Sequence, residues 1–327
     1  MKAAVVREPG ADPVWADFDE PVVDERHRLA YLVGAGIHPV VRSMVGGGHY
    51  GSAGVWPAVP GVDAVARTTD GELIYTGWIP APWGTMAERM AVPARFGIAV
   101  PVHADPLAVA AGLNPGMSSW LPLSRRYAER DGVGLGPVLI LGATGIAGGI
   151  AIGNAMALGA PRVVAVGRDA IHLDRLNRRF SDGHVRTVRL TAGQQDDAAA
   201  IADALGGRAP DIVLDFVWGS VAEAAFAALE RRGIDDDDAD IRYVEIGAGA
   251  GRTAAMPAAL LRSRRITISG SGAGSASTQR IMEELPKFMA RIADGTVEVP
   301  YTTYSLHRVD EAWRSDTGRR AVLVPDN

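Results

Sequence analysis

Up to about residue 120 the apolar positions come in short alternating or continuous runs, at 3–7, 29–33, 64–68, 73–77 and 88–92, set apart by Pro and Gly. Runs of this length and punctuation predict half-buried strands. The region therefore reads as a compact β domain, barrel-like by strand count, with long connections. Residues 34–60 read as one long loop holding Gly46-Gly47-Gly48, His49, Tyr50 and Trp56. Loops of that length commonly carry function. Helical periodicity begins only near Ala104: residues 105–130 predict a helix entered at Pro106 and broken into pieces at Pro115 and Pro122.

From about 135 to 272 the pattern changes to continuous apolar runs alternating with helical stretches. Val138-Leu139-Ile140-Leu141 is apolar throughout, as expected of a parallel strand covered on both faces. A helix at 149–158, a strand at 162–166 and a helix at 169–180 capped by Asp169 follow, then strands at 211–215, 241–247 and 265–270 with a helix at 220–231. This order predicts an α/β fold, a Rossmann-type doubly wound parallel sheet. An amphipathic helix at 275–293, a strand at 297–304, a short helix at 309–314 and a last strand at 321–324 return to the β-rich character of the first region. The economical arrangement is a discontinuous β-rich domain, 1–122 with 273–327, around a dinucleotide-binding domain at 123–272.

The chain has 327 residues, 47% hydrophobic and 22% charged, with a net charge of -5. That is globular composition with no overall basic footprint for nucleic acid. Cysteine is absent, which removes disulfides, thiolate nucleophiles and cysteine-ligated zinc and suits a reducing compartment such as the cytoplasm. No long apolar stretch reads as a signal peptide or a membrane span. The acidic run at 235–238, followed by Asp240, reads as a solvated loop, because consecutive aspartates lack the spaced ligands of a calcium loop.

The candidate chemistry starts at Gly142-Ala143-Thr144-Gly145-Ile146-Ala147-Gly148, between the first parallel strand and its helix. Glycines there permit a tight turn, close approach of a pyrophosphate and packing of helix on strand, while the helix N-terminal amides face the phosphates. Gly142, Thr144, Gly145, Ile146, Ala147 and Gly148 are thus expected to bind a dinucleotide. The next strand ends in Gly167-Arg168-Asp169. An NAD site wants an acid there for the ribose hydroxyls, whereas a 2′-phosphate wants arginine and no acid. Gly167 and Arg168 therefore predict NADPH, with Asp169 as a helix cap; the competing assignment has Asp169 on the ribose. Gly247, Ala248, Gly270 and Ser271 follow late strands, where open α/β sheets bind ligands, and are expected near the nicotinamide. A short-chain reductase, the other home of such a turn, needs Tyr-x-x-x-Lys, and neither Lys2 nor Lys287 has a tyrosine four positions earlier.

Several further stretches occur in a telling order. They are Met1-Lys2-Ala3-Ala4-Val5, Gly36-Ile37-His38-Pro39-Val40, Pro57-Ala58-Val59-Pro60-Gly61-Val62-Asp63, Gly84-Thr85-Met86-Ala87-Glu88, Gly116-Met117-Ser118-Ser119-Trp120, the glycine turn, and Arg319-Arg320-Ala321-Val322-Leu323-Val324-Pro325. In this order the chain resembles the medium-chain dehydrogenase/reductase superfamily over nearly its whole length. Within it, the chain looks like the zinc-independent quinone oxidoreductase and enoyl reductase branch. Where zinc members carry Cys-His, this chain has His38-Pro39; where they carry Gly-His-Glu, it has Gly61-Val62-Asp63, and a His38–His49–Asp63 metal cluster is the remaining alternative.

The resemblance implies a GroES-like catalytic domain and NADPH-dependent hydride transfer to an activated alkene or a quinone. It implies that Ser118 meets the nicotinamide and that Tyr50 lies in a loop reaching the reacting ring. Tyr50 is the first candidate for donating the proton and His38 the second. Trp56, Trp78 and Trp83 are candidates for a substrate wall or for packing, and residues 34–60 and 79–83 for setting the substrate. Two other functions stay open: carbonyl, imine or alcohol chemistry through His38, and NADPH binding without turnover, as a sensor or scaffold. The resemblance also implies a homodimer through edge strand 265–270.

Overall fold

A computed structural model describes residues 1–52, 54–231, 233 and 239–326. The aspartate run at 235–238 lies outside the described residues. In chain order the elements are β1 (Lys2–Val5), β2 (Val14–Asp17), β3 (His27–Gly36), α1 (Pro39–Val45), β4 (Asp63–Thr68), β5 (Leu73–Gly77), β6 (Arg89–Pro93), β7 (Ile98–Ala99) and α2 (Pro106–Glu129). Then come β8 (Val138–Leu141), α3 (Ile146–Ala157), β9 (Val163–Gly167), α4 (Ala170–Arg179), β10 (Val185–Arg189), α5 (Gln194–Leu205), β11 (Ile212–Asp215), α6 (Gly219–Leu229), β12 (Ile241–Glu245), α7 (Ala258–Ser263) and β13 (Ile266–Gly270). The chain closes with α8 (Thr278–Ala293), β14 (Tyr301–Ser305), a 3-10 turn, α9 (Val309–Arg314) and β15 (Arg320–Val324).

Two compact units emerge, one of Met1–Pro115 with Leu285–Asn327 and one of Gly116–Glu284. The divisions fall inside α2 and α8, whereas the sequence pattern placed them at 122/123 and 272/273. In the first unit β14-β15-β3-β4-β5-β7 form a sheet, with β6 pairing β3 and a separate β1-β2 ribbon. Its core gathers Val5, Leu32, Ile37, Val41, Ile74, Met86, Met90 and Leu323.

The second unit is a six-stranded parallel sheet in the order β10-β9-β8-β11-β12-β13. The order reverses between β8 and β11, the arrangement of the doubly wound dinucleotide fold. Alternation decides which face each side chain covers. Leu139, Leu141, Val164, Val166, Val213 and Tyr243 pack against Ile201, Phe226 and Leu260 from α5, α6 and α7. Val138, Ile140, Val163, Ala165, Ile212 and Leu214 pack against Leu123, Ala151, Ile152 and Ala155 from α2 and α3. Both faces are covered, which is why the strands read as continuous apolar runs.

Two expectations are corrected. The stretch 34–60 is not one loop: it contains the end of β3 and the helix α1. His38 is the extended N-cap, Pro39 sits in the first turn, and Val41 and Val45 are buried, so a short helix has an entry signal and an apolar face. Nor do the prolines break α2, which runs unbroken for 24 residues through Pro115 and Pro122. Pro122 deprives the Ser118 carbonyl of its intrahelical donor. The Ser271 hydroxyl donates to that carbonyl instead, at 3.0 Å.

Candidate active site

The turn after β8 is held by backbone hydrogen bonds, to β9 and within itself. Gly142 and Ala143 donate to the Val166 carbonyl at 3.0 and 2.9 Å, and Gly145 donates back to Gly142 at 3.2 Å. Gly142 has φ +87°, open to glycine at no steric cost. A Cβ on Gly148 would lie 2.7 Å from the Ala143 Cα, so α3 packs directly on the turn. Gly145 is the extended N-cap of α3, with no side-chain cap and no acid in the first turn. The amides of Ile146, Ala147 and Gly148 thus open the helix without a side-chain acceptor, the arrangement that receives an anion.

At the end of β9, Gly167 is needed for space. A Cβ there would lie 2.5 Å from Thr144 Cγ2 and 3.1 Å from its hydroxyl. Thr144 thus occupies the place where an acidic side chain at 167 would begin. Arg168 is exposed, and its guanidinium enters no ion pair among the described residues. The Asp169 carboxylate accepts from the His172 amide at 3.0 Å and lies 2.8 Å from its Nδ1. The backbone bond, with the imidazole second, holds its pKa below the usual carboxylate range. Asp169 is therefore the helix cap.

The loops after the later strands pack on the turn and on each other. A Cβ on Gly142 would meet Val217 Cγ1 at 2.9 Å, and one on Gly247 would meet the Phe216 carbonyl oxygen at 2.8 Å. Ser271 and Ser118 come together through the bond to the Ser118 carbonyl, and the Ser271 amide donates to Glu245 at 2.8 Å. Ala248 and Gly270 are exposed. Sequence reasoning missed the segment Asp215-Phe216-Val217-Trp218-Gly219; its one signal was an aspartate ending an apolar strand with a glycine four residues on.

In the other unit, His38 is 1% exposed. Its Nε2 lies 3.3 Å from Asp63 Oδ1, at ion-pair distance but without hydrogen-bond geometry. Tyr75 donates to Asp63 Oδ2 at 2.9 Å; burial and the Asp63 charge push the phenol pKa up. Arg320 donates to the Ile37 carbonyl at 2.9 Å, and burial, partly offset by Asp63, lowers its pKa to about 10. Tyr50 is 77% exposed, with its ring centroid 4.1 Å from that of His49. His49 Nδ1 accepts from the Gly51 amide at 3.0 Å, and burial lowers the His49 pKa. No hydrogen bond or ring contact joins Tyr50 to His38.

A cavity of about 250 Å³ lies in the same unit, between α1, the segment after it and residues 79–83. Val41, Met44, Val45, Val55, Trp56, Val59, Ile79 and Trp83 line it, and no ionisable side chain does among the described residues. His38 and Tyr50 are not in its lining, and Trp78 is instead half-exposed against Phe96. A larger open depression, about 460 Å³, lies beside β10 and contains none of the candidate residues. Among the described residues no three His, Cys, Asp or Glu side chains gather to hold a metal, and no helix is long and apolar enough to cross a membrane.

A parallel sheet in this strand order, entered through a glycine turn and joined to a discontinuous β-rich unit, defines a two-unit protein of the dinucleotide-binding class. No protein-family model matches the chain. A curated relative, the probable NADPH-dependent quinone reductase tdiC of Emericella nidulans, is 32% identical over 232 residues, 68% of this chain and 62% of its own length. The match thus spans less than two thirds of that relative. Among solved structures, the quinone oxidoreductase of Thermus thermophilus, also solved with NADPH, superposes with a TM-score of 0.76 at 21% identity, covering 99% of this chain and 100% of that one. A mycobacterial quinone oxidoreductase gives 0.80 at 19%, over 99% and 100%, and an alcohol dehydrogenase of Pyrobaculum aerophilum 0.76 at 20%, over 99% of each. The chain thus has the fold of these quinone oxidoreductases and alcohol dehydrogenases, and over 68% of its length it is similar in sequence to the fungal quinone reductase.

Proposed function

We propose that the protein is an NADPH-dependent, zinc-independent oxidoreductase that reduces a quinone or an activated alkene. The end of β9 carries the cofactor choice: Thr144 fills the space an acid at 167 would need, Asp169 is engaged as a cap, and Arg168 stands free. The fungal relative is itself named for NADPH and quinone. The bound cofactor supplies the hydride, and the protein supplies position and electrostatics. The amides opening α3 would hold the pyrophosphate, and Arg168 would hold the 2′-phosphate through charge-assisted bonds.

The apolar cavity with Trp56 and Trp83 suits a flat, uncharged ring. Tyr50, an exposed residue, is the more accessible candidate to donate the proton after hydride transfer. His38, almost wholly buried beside Asp63, is poorly placed to meet a carbonyl substrate, which weighs against alcohol chemistry through it. Replacing Arg168 by Ala should raise KM for NADPH by about 10–100-fold, the worth of lost charge-assisted bonds, and leave NADH nearly unchanged. An equal loss with both cofactors would remove Arg168 from the phosphate site. Binding without turnover over a panel of quinones and enones would favour the sensor.

The cysteine-free composition supports a cytoplasmic protein. Edge strand β13 supports a homodimer in which a second copy extends the sheet. Light scattering at micromolar concentration should give the mass of two chains, and Ile268→Pro should return one.

A further inference from the structure

We propose that Asp215 is a positioning residue for the cofactor: its buried carboxylate holds the turn Val217–Trp218 in the form that backs the glycine turn. The inference rests on the NADPH assignment above. β11 ends at Asp215, paired in register with Leu141 at the end of β8, where the strand order reverses. Ligands of such sheets sit outside the carboxyl ends of the strands at that reversal.

Asp215 is fully buried. Its Oδ1 accepts from the amides of Val217 at 2.9 Å and Trp218 at 2.8 Å, and its Oδ2 accepts from the Tyr243 hydroxyl at 2.6 Å. Every one of these donors is neutral. Two amides converging on one oxygen demand a tight turn, and the turn shows the consequence. Trp218 has φ 55° and ψ −154°, a region open in practice to glycine alone. Its ring lies edge-on to Phe226 and Tyr243, with centroids 5.8 and 6.2 Å apart. A bulky side chain stays in such a conformation only where its surroundings over-determine it, and such residues cluster at functional sites.

The turn is also where two candidate cofactor segments meet, the glycine turn and the loop after β12. Val217 stands where a Cβ on Gly142 would strike at 2.9 Å, so it sets the back of the glycine turn. The Val217 carbonyl accepts from Ala250 at 2.6 Å, and the Asp215 carbonyl accepts from Gly247 at 3.2 Å. Gly219 follows with φ +59°, and a Cβ there would lie 2.6 Å from the Ala250 carbonyl oxygen. One carboxylate thereby fixes the loop after β11, and that loop fixes the glycine turn and the loop after β12. A residue acting only as a cap for α6 would stabilise the fold and leave cofactor affinity alone.

The test is NADPH affinity, by titration of cofactor fluorescence, for wild type, D215N, Y243F and W218G, with melting temperature measured beside it. D215N keeps an acceptor for the two amides but loses the charge that strengthens those bonds. Its NADPH Kd should rise on the order of tenfold in protein of native circular dichroism. W218G can keep the turn without strain but frees it to move, so its Kd should rise even where melting temperature does not fall. Y243F should fall between wild type and D215N. Unchanged Kd in D215N and W218G, whatever their melting temperatures, overturns the proposal. If D215N does not fold, W218G and Y243F decide by the same criterion. If wild type itself binds no NADPH, the cofactor assignment falls and takes this inference with it, a result distinct from wild-type binding shared by all variants.

Discussion

Thr144 and Gly167 act as a pair although 23 positions separate them. Gly167→Ala should force its methyl into Thr144 Cγ2 and cost about 1–3 kcal/mol by overpacking. Adding Thr144→Ser removes that methyl and should restore most of the loss in urea unfolding. Strict additivity of the two changes would contradict the contact. Asp215 gives a pH signature. Burial raises its pKa above the unfolded value, although the bonds from Tyr243, Trp218 and Val217 pull the other way. The native state then holds the proton more tightly than the unfolded chain. The group's contribution is fully present below the unfolded pKa and is lost as pH rises through the folded one. The stability of wild type relative to D215N should therefore decline from pH 4 to pH 7, and a rise over that interval would refute the assignment. The three glycines of the turn were legible because a tight turn leaves backbone no other choice. Thr144 against Gly167, and Asp215 under Trp218, were not, because each depends on contacts between segments that local pattern does not pair.

The elements divide along the same line. Strands buried on both faces, and the short helix α9, announce themselves by local pattern, and α9 appears with the bounds expected. α1 was missed because seven residues rich in valine offer little helical periodicity, leaving only Pro39 as an entry signal. The strand β10, carrying Arg186 and Arg189 among five residues, and the helix α5 also went unread. α2 was misread in the opposite sense: two prolines would end an isolated helix, but tertiary partners carry this one through. Pro122→Ala should restore the donor to the Ser118 carbonyl, whose second lone pair can still accept from Ser271. A net stabilisation of about 1–2 kcal/mol is expected, being the relieved helix cost less the lost stiffness of the unfolded chain. Destabilisation in urea unfolding would mean that the proline ring is itself packed into the core. The Ser118–Ser271 bond also shows how two candidate cofactor residues come to share one place.

At the scale of the molecule, the return of the C-terminal segment to the first unit was visible in its β-rich pattern, and β14 and β15 join β3 in one sheet. The parallel sheet and the glycine turn followed from alternation of strand and helix. Substrate identity was not legible, because a cavity framed by α1, Trp56 and Trp83 depends on how distant segments meet. The absence of an acid at the end of β9 ties sequence, fold and proposed activity together, so cofactor choice is the central claim. The deciding measurement is a thermal-shift titration with NADPH and, separately, NADH. A ligand at a hundred times its Kd stabilises by about 2.7 kcal/mol, well within reach of the method. NADPH should raise the melting temperature at concentrations where NADH does not. A shift with NADH alone would place a ribose ligand where Arg168 and Gly167 leave none and contradict the account.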